Sequence, residues 1–77
     1  MIAVFFDAGQ KGLKPALVNI QNEYREIINT SFNARMNETT NLEIILVRGD
    51  SSRIRSLEQK LITKRGIRSA RLTIIPS

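Results

Sequence analysis

Residues 42–66, LEIILVRGDSSRIRSLEQKLITKRG, fit few folds, because a buried strand leads at once into a capped helix and then a second strand. Five of the six residues 42–47 are apolar and three are β-branched, the pattern of a mostly buried strand. Gly49, Asp50, Ser51 and Ser52 break that run and offer oxygens suited to a helix N-cap. Ile54, Leu57, Leu61 and Ile62 then recur at i, i+3, i+7 and i+8, one stripe of an amphipathic helix. Lys60, Lys64 and Arg65 bring positive charge to its C-terminal turns, opposite the negative pole of the macrodipole. Gly66 falls where a left-handed C′ residue is wanted, and residues 67–75 read as the next strand.

The first half of the chain repeats this order. Residues 2–6 are a strand and residues 7–12 a loop with two glycines. Leu13, Leu17, Ile20, Tyr24, Ile27 and Ile28 follow with helical spacing, which predicts about four turns ending at Asn29. Pro15 is tolerated only in the first turn of such a helix. Residues 30–37 alternate, with Phe32, Ala34 and Met36 on one face and Ser31, Asn33, Arg35 and Asn37 on the other. Residues 38–41 form a polar turn of hairpin length, so this strand is expected to pair antiparallel with residues 42–47. Two strand-helix-strand halves close most economically as a ferredoxin-like βαββαβ domain over residues 1–77. Its four-stranded antiparallel sheet then carries both helices on one face.

That arrangement leaves the second sheet face bare. Ile45 and Val47 alternate with Ile44 and Leu46, and both sets are apolar, so one set is exposed whichever way the sheet faces. The expectation places Ile45 and Val47 on the uncovered face with Phe5 or Phe6, Phe5 being preferred, as an interface between copies of the chain. Size points the same way. A chain of 77 residues buries only about 60–65% of its unfolded surface and is marginal alone. It has no cysteine and no histidine, hence no disulfide, no thiolate or imidazole metal ligand and no common nucleophile–base pair. An enzyme, a bound cofactor and a resident metal are therefore not expected. No apolar run is long enough to span a bilayer, and a cytoplasmic protein is expected.

The spacing and wording from Leu42-Glu43-Ile44 through Gly49-Asp50 to Lys64-Arg65-Gly66-Ile67-Arg68, with Leu72-Thr73 beyond and Gln21 in the first helix, resemble a known family. It is the C-terminal regulatory domain of the bacterial nickel-responsive regulators. Small stand-alone regulators associated with iron-only hydrogenases are also similar. The resemblance implies an ACT-like ferredoxin fold, a tetrameric core and nickel bound between subunits. It also implies that the helix histidine of the family aligns with Asn22, its two strand histidines with Asn33 and Arg35, and its cysteine with Asn41. None of these replacements is a nickel ligand of the family's type. The family's DNA-binding arm has no counterpart before Met1, so a separate DNA-binding partner is one expectation and a fragment of a longer regulator the other.

Asn22, Asn33, Arg35, Asn41 and Glu43 are thus the candidate ligand-binding group. One reading is a converted pocket holding a small anionic effector through Arg35 and the amides. The other, favoured, is a polar network joining subunits, with Glu43 pairing Arg35 across the hairpin. The glycine loop at residues 9–12 lacks the spacing of a phosphate-binding turn. The formal charge of +5 admits a nucleic-acid-binding module using the basic C-terminal half as the alternative function. The central strand offers no aromatics for base stacking, and the preferred reading is a regulatory and oligomerisation domain engaged in transcriptional control or ligand sensing.

Overall fold

The computed structural model describes residues 1–74. The elements run β1 (Ile2–Asp7), α1 (Leu13–Glu23), β2 (Ile28–Arg35), β3 (Thr40–Val47), α2 (Ser51–Ile62) and β4 (Ile67–Leu72). The strands form one sheet in the order β2-β3-β1-β4, and every neighbouring pair is antiparallel. This is the ferredoxin-like, ACT-like arrangement, with one face of the sheet under both helices.

Register decides which face that is. Ile2, Val4 and Phe6 are buried at alternate positions of β1, and Ile2 lies opposite Ile45 of β3. The four join Leu13, Leu17 and Ile20 of α1 and Leu57 and Leu61 of α2 in one core. Ile45 is fully buried there and Val47 packs against it. The assignment of Ile45 and Val47 to the uncovered face is therefore corrected: both face the helices. Ile44 and Leu46, with Leu42, take the open face instead, together with Phe5, which pairs with Leu42, and Ala3, which pairs with Ile44. Phe5 therefore does not share a face with Ile45 and Val47, and Phe6 is buried beneath the helices. Alternation within β3 separated the two sets but carried no sign, because both are apolar.

Three boundaries also differ from expectation. α1 ends at Glu23, not Asn29, and Tyr24 to Ile27 form a tight turn in which the Ile27 amide bonds the Tyr24 carbonyl at 3.0 Å. Tyr24 and Ile27 stay buried because a turn preserves their i, i+3 relation, while β-branched Ile28 and Thr30 pair with β3. The hairpin loop comes earlier than residues 38–41. Asn37 Oδ1 accepts the amides of Thr39 and Thr40, both at 2.9 Å, and β3 already begins at Thr40. Gly66 is left-handed (φ 95°), but α2 is capped at Thr63, so Gly66 turns the chain into β4 rather than closing the helix. Ile62 is 48% exposed and is not part of the buried stripe, since the adjacent Leu61 holds the inward position. β4 is described to Leu72, and residue 75 of the expected strand lies outside the described residues.

The N-cap is as read: the Asp50 carboxylate accepts the Ser52 amide and hydroxyl, both at 3.0 Å. These bonds hold its pKa below the ordinary range, the Ser52 amide contributing most. Gly12 opens α1 in a left-handed conformation with no side-chain cap, an ordinary turn.

Candidate functional site

β2 is an edge strand eight residues long, and α1 stops short of covering it. Its inward residues Ser31, Asn33 and Arg35 stand opposite Ile45, Glu43 and Asn41 of β3. The sheet side that is an apolar floor under the helices therefore becomes polar at this edge. Between α1 and β2 it leaves a cavity of about 380 Å³. Phe6, Leu17 and Val18 supply its apolar wall, and Lys14, Gln21, Ser31, Asn33 and Glu43 its polar lining.

One hydrogen-bonded chain organises that lining. The Ser31 hydroxyl donates to Gln21 Oε1 at 2.7 Å, and Gln21 Nε2 donates to Glu43 Oε2 at 3.4 Å. Asn33 Nδ2 donates to the other carboxylate oxygen, Oε1, at 2.9 Å. Glu43 thus bonds Asn33, directly across the ladder, and not Arg35 as expected. Of the five candidate residues, Asn33 and Glu43 are brought together. Arg35 is exposed and Asn41 is buried opposite it, nearer the hairpin, and neither lines the cavity. Asn22 is exposed on α1; its neighbour Gln21 is the residue that reaches the sheet. An anionic ligand gripped by Arg35 is therefore not what this cavity offers.

Gln21, Ser31 and Lys14 were missed as site residues. Ser31 was legible as a member of the polar face of its strand, and Gln21 through the resemblance. Lys14 carried no signal beyond its place in the first turn of α1.

The lining holds amide, hydroxyl, ammonium and carboxylate groups, with no imidazole or thiolate, the nitrogen and sulfur donors that suit transition metals such as nickel. Among the described residues no cluster of three or more His, Cys, Asp or Glu is placed to hold a metal ion. Asn33 spends one amide N–H on Glu43.

The basic half is partly committed within the fold. Arg53 stacks on the Tyr24 ring at 4.2 Å and bonds Glu26 at 2.7 Å, while Lys60 bonds Glu23 at 2.7 Å. The hydrogen bond from Arg53 is the main reason that the Glu26 carboxyl sits below its usual range. Arg68, at the bulge of β4, donates to the Thr40 hydroxyl and, at 3.3 Å, to the Thr39 carbonyl. No helix among the described residues is long and apolar enough to cross a membrane.

The model of the NikR C terminal nickel binding domain matches residues 1–75. The chain belongs to this family. It is 40% identical over 73 residues to a candidate nickel-responsive regulator of Methanothermobacter thermautotrophicus, covering 95% of this chain and 52% of the relative. It is 33% identical over 75 residues to another from Methanosarcina mazei, covering 97% of this chain and 54% of that protein. The chain thus spans about half the length of the curated relatives it matches.

Proposed function

We propose that this domain is a non-enzymatic regulatory and assembly module that keeps its family's scaffold without the nickel response. What supports the reading is that the chain has no histidine or cysteine, and that the resemblance sets Asn22, Asn33, Arg35 and Asn41 where the family has its ligands. Arg35 would bring a permanent positive charge to a cation site. The relatives' names support a role in regulation, and the DNA contact of such a regulator would lie in the half that this chain does not span, or in a separate partner. Calorimetric titration of tag-free protein with nickel is expected to be flat. Sub-micromolar binding overturns the reading.

Assembly is proposed through the open sheet face, with a second copy as occupant. Across β2, β3 and β1 one row of that face reads Phe32, Ile44, Ala3, and the next reads Ala34, Leu42, Phe5. A two-fold axis lying in the face, parallel or perpendicular to the strands, sets each phenylalanine of one copy over an alanine of the other. Large on small in both rows is self-complementarity, the requirement of an isologous contact. Phe32 is 53% exposed at the edge of these contiguous apolar rows, and contiguous apolar surface of this kind marks an interaction face. Light scattering at ~50 µM, above typical dissociation constants, should report a dimer or larger, with the family resemblance favouring a tetramer. Ile44→Asp should yield folded monomer, and a monomeric parent protein would refute the assembly.

The alternative, nucleic-acid contact by the basic half, is weakened by the internal partners of Arg53, Lys60 and Arg68. Filter binding at about 50 mM salt, where phosphate contacts are strongest, is expected to be negative.

A further inference from the structure

We infer that the cavity between α1 and β2 is a receptor for a small primary amine, with Glu43 as the counter-charge. The inference rests on the reading above that this is no longer a metal centre, and names what the site takes instead.

Donor and acceptor accounting leads to it. Ionised Glu43 accepts only, so the amides of Asn33 and Gln21 must present their nitrogens to it, as they do. Gln21 Oε1 is in turn occupied by the Ser31 hydroxyl proton. Asn33, Gln21 and Ser31 have each spent one donor on a neighbour; one N–H of each amide remains, but around Glu43 the acceptors left over are more numerous. These are the remaining carboxylate lone pairs, Asn33 Oδ1 and the lone pairs of Ser31 Oγ. An ammonium group, with three donors and no acceptor, is the complement of that set.

Charge agrees. Glu43 is half-buried, and the ion pairs found among the described residues lie elsewhere, at Arg53–Glu26 and Lys60–Glu23. A carboxylate held by two neutral amides beside an apolar wall gains more from an incoming cation than one in free solvent. Leu17, Val18 and Phe6 would receive a short hydrocarbon body, and Val18, 57% exposed, would be covered by it. Lys14 also lines the cavity, and its positive charge opposes a second cation, so a carboxylate on the same ligand set against Lys14 improves the fit.

The test uses two probes of similar size and opposite charge, isobutylamine and isobutyrate, titrated separately into the isotope-labelled full chain at neutral pH. Isobutylamine should shift the amide signals of Ser31, Asn33 and Glu43 saturably, with a Kd on the order of millimolar for so small a ligand. Isobutyrate should not. Glu43→Gln should weaken the amine about tenfold or more, the scale of a lost charge-assisted hydrogen bond. Should that variant misfold, Val18→Arg on the exposed rim supplies a tethered competitor for Glu43 and should abolish amine binding with the spectrum otherwise retained. Isobutyrate binding as tightly as the amine, no saturable shift by about 50 mM amine, or a Val18→Arg protein that binds unchanged would each overturn the inference. A nickel titration on the same samples shows separately whether the underlying reading has failed.

Discussion

Replacing Ile45 and Ile44 by alanine, one at a time, tests the orientation of the whole sheet. Ile45 is fully buried among the helices, so Ile45→Ala removes three carbons from a closed core. At ~0.8 kcal/mol per carbon, with a further term for the cavity left behind, the cost is about 3–4 kcal/mol. A chain of this length has roughly 4–11 kcal/mol in total, so the variant should be close to unfolding. Ile44 lies on the open face, opposite Ala3 and Phe32, and keeps contact with solvent. Within one copy Ile44→Ala should cost only about 1 kcal/mol, and any larger effect must come from association. Urea unfolding followed by circular dichroism at ~1 µM and ~100 µM separates the two. The Ile45 variant should lose about 3 M in midpoint, given a slope near 1 kcal/mol per molar, at both concentrations. The Ile44 variant should lose far less at the lower concentration and more at the higher. If Ile44→Ala costs as much as Ile45→Ala at ~1 µM, the face assignment and the assembly argument built on it are wrong.

Gly66→Ala forces a side chain onto a backbone at φ 95° and sets its Cβ 2.6 Å from Gln10 Cγ, so thermal unfolding should show a loss of about 1–3 kcal/mol. Asn37→Ala removes the acceptor of the Thr39 and Thr40 amides and should cost about 1 kcal/mol, with amide exchange quickening first at the hairpin. Asp50 and Glu26 both titrate below their ordinary values. Their contribution is therefore complete above the unfolded carboxylate range and is lost as pH falls through it, below about 4. Thermal midpoints should drop on acidification, less steeply in Glu26→Gln, which has no charge to lose; an unchanged slope refutes the Arg53 pairing.

The fold was readable because each element announced itself locally. β3, its break at Gly49 and the Asp50 cap are signals within a few residues, and two similar halves left little freedom in topology. The sidedness of β3 was not readable, since a strand apolar on both faces gives alternation without direction; β1 and its pairing with Ile45 supplied it. The end of α1 was hidden for a related reason, a tight turn and a helix placing Tyr24 and Ile27 alike. For the site, Asn33 and Glu43 were found, but their partner was not. Pairing Glu43 with Arg35 needs a shift of two residues in a register that only the early start of β3 at Thr40 settles.

The place of β1 in the sheet also sets the order in which the molecule can be made. β2 and β3 close on each other across a short loop, a fast local event. β1 sits between β3 and β4, and its Ile2 must find Ile45 and Leu72, 43 and 70 positions away. Contacts so distant along the chain form late and slow the whole reaction. Until they form, Ile-Ala-Val-Phe-Phe is an uncharged segment of high β-propensity with both edges open, the composition most prone to pair with other chains. The centre of the finished sheet is therefore the last strand to be placed, and the first to attract the wrong neighbour if closure is delayed.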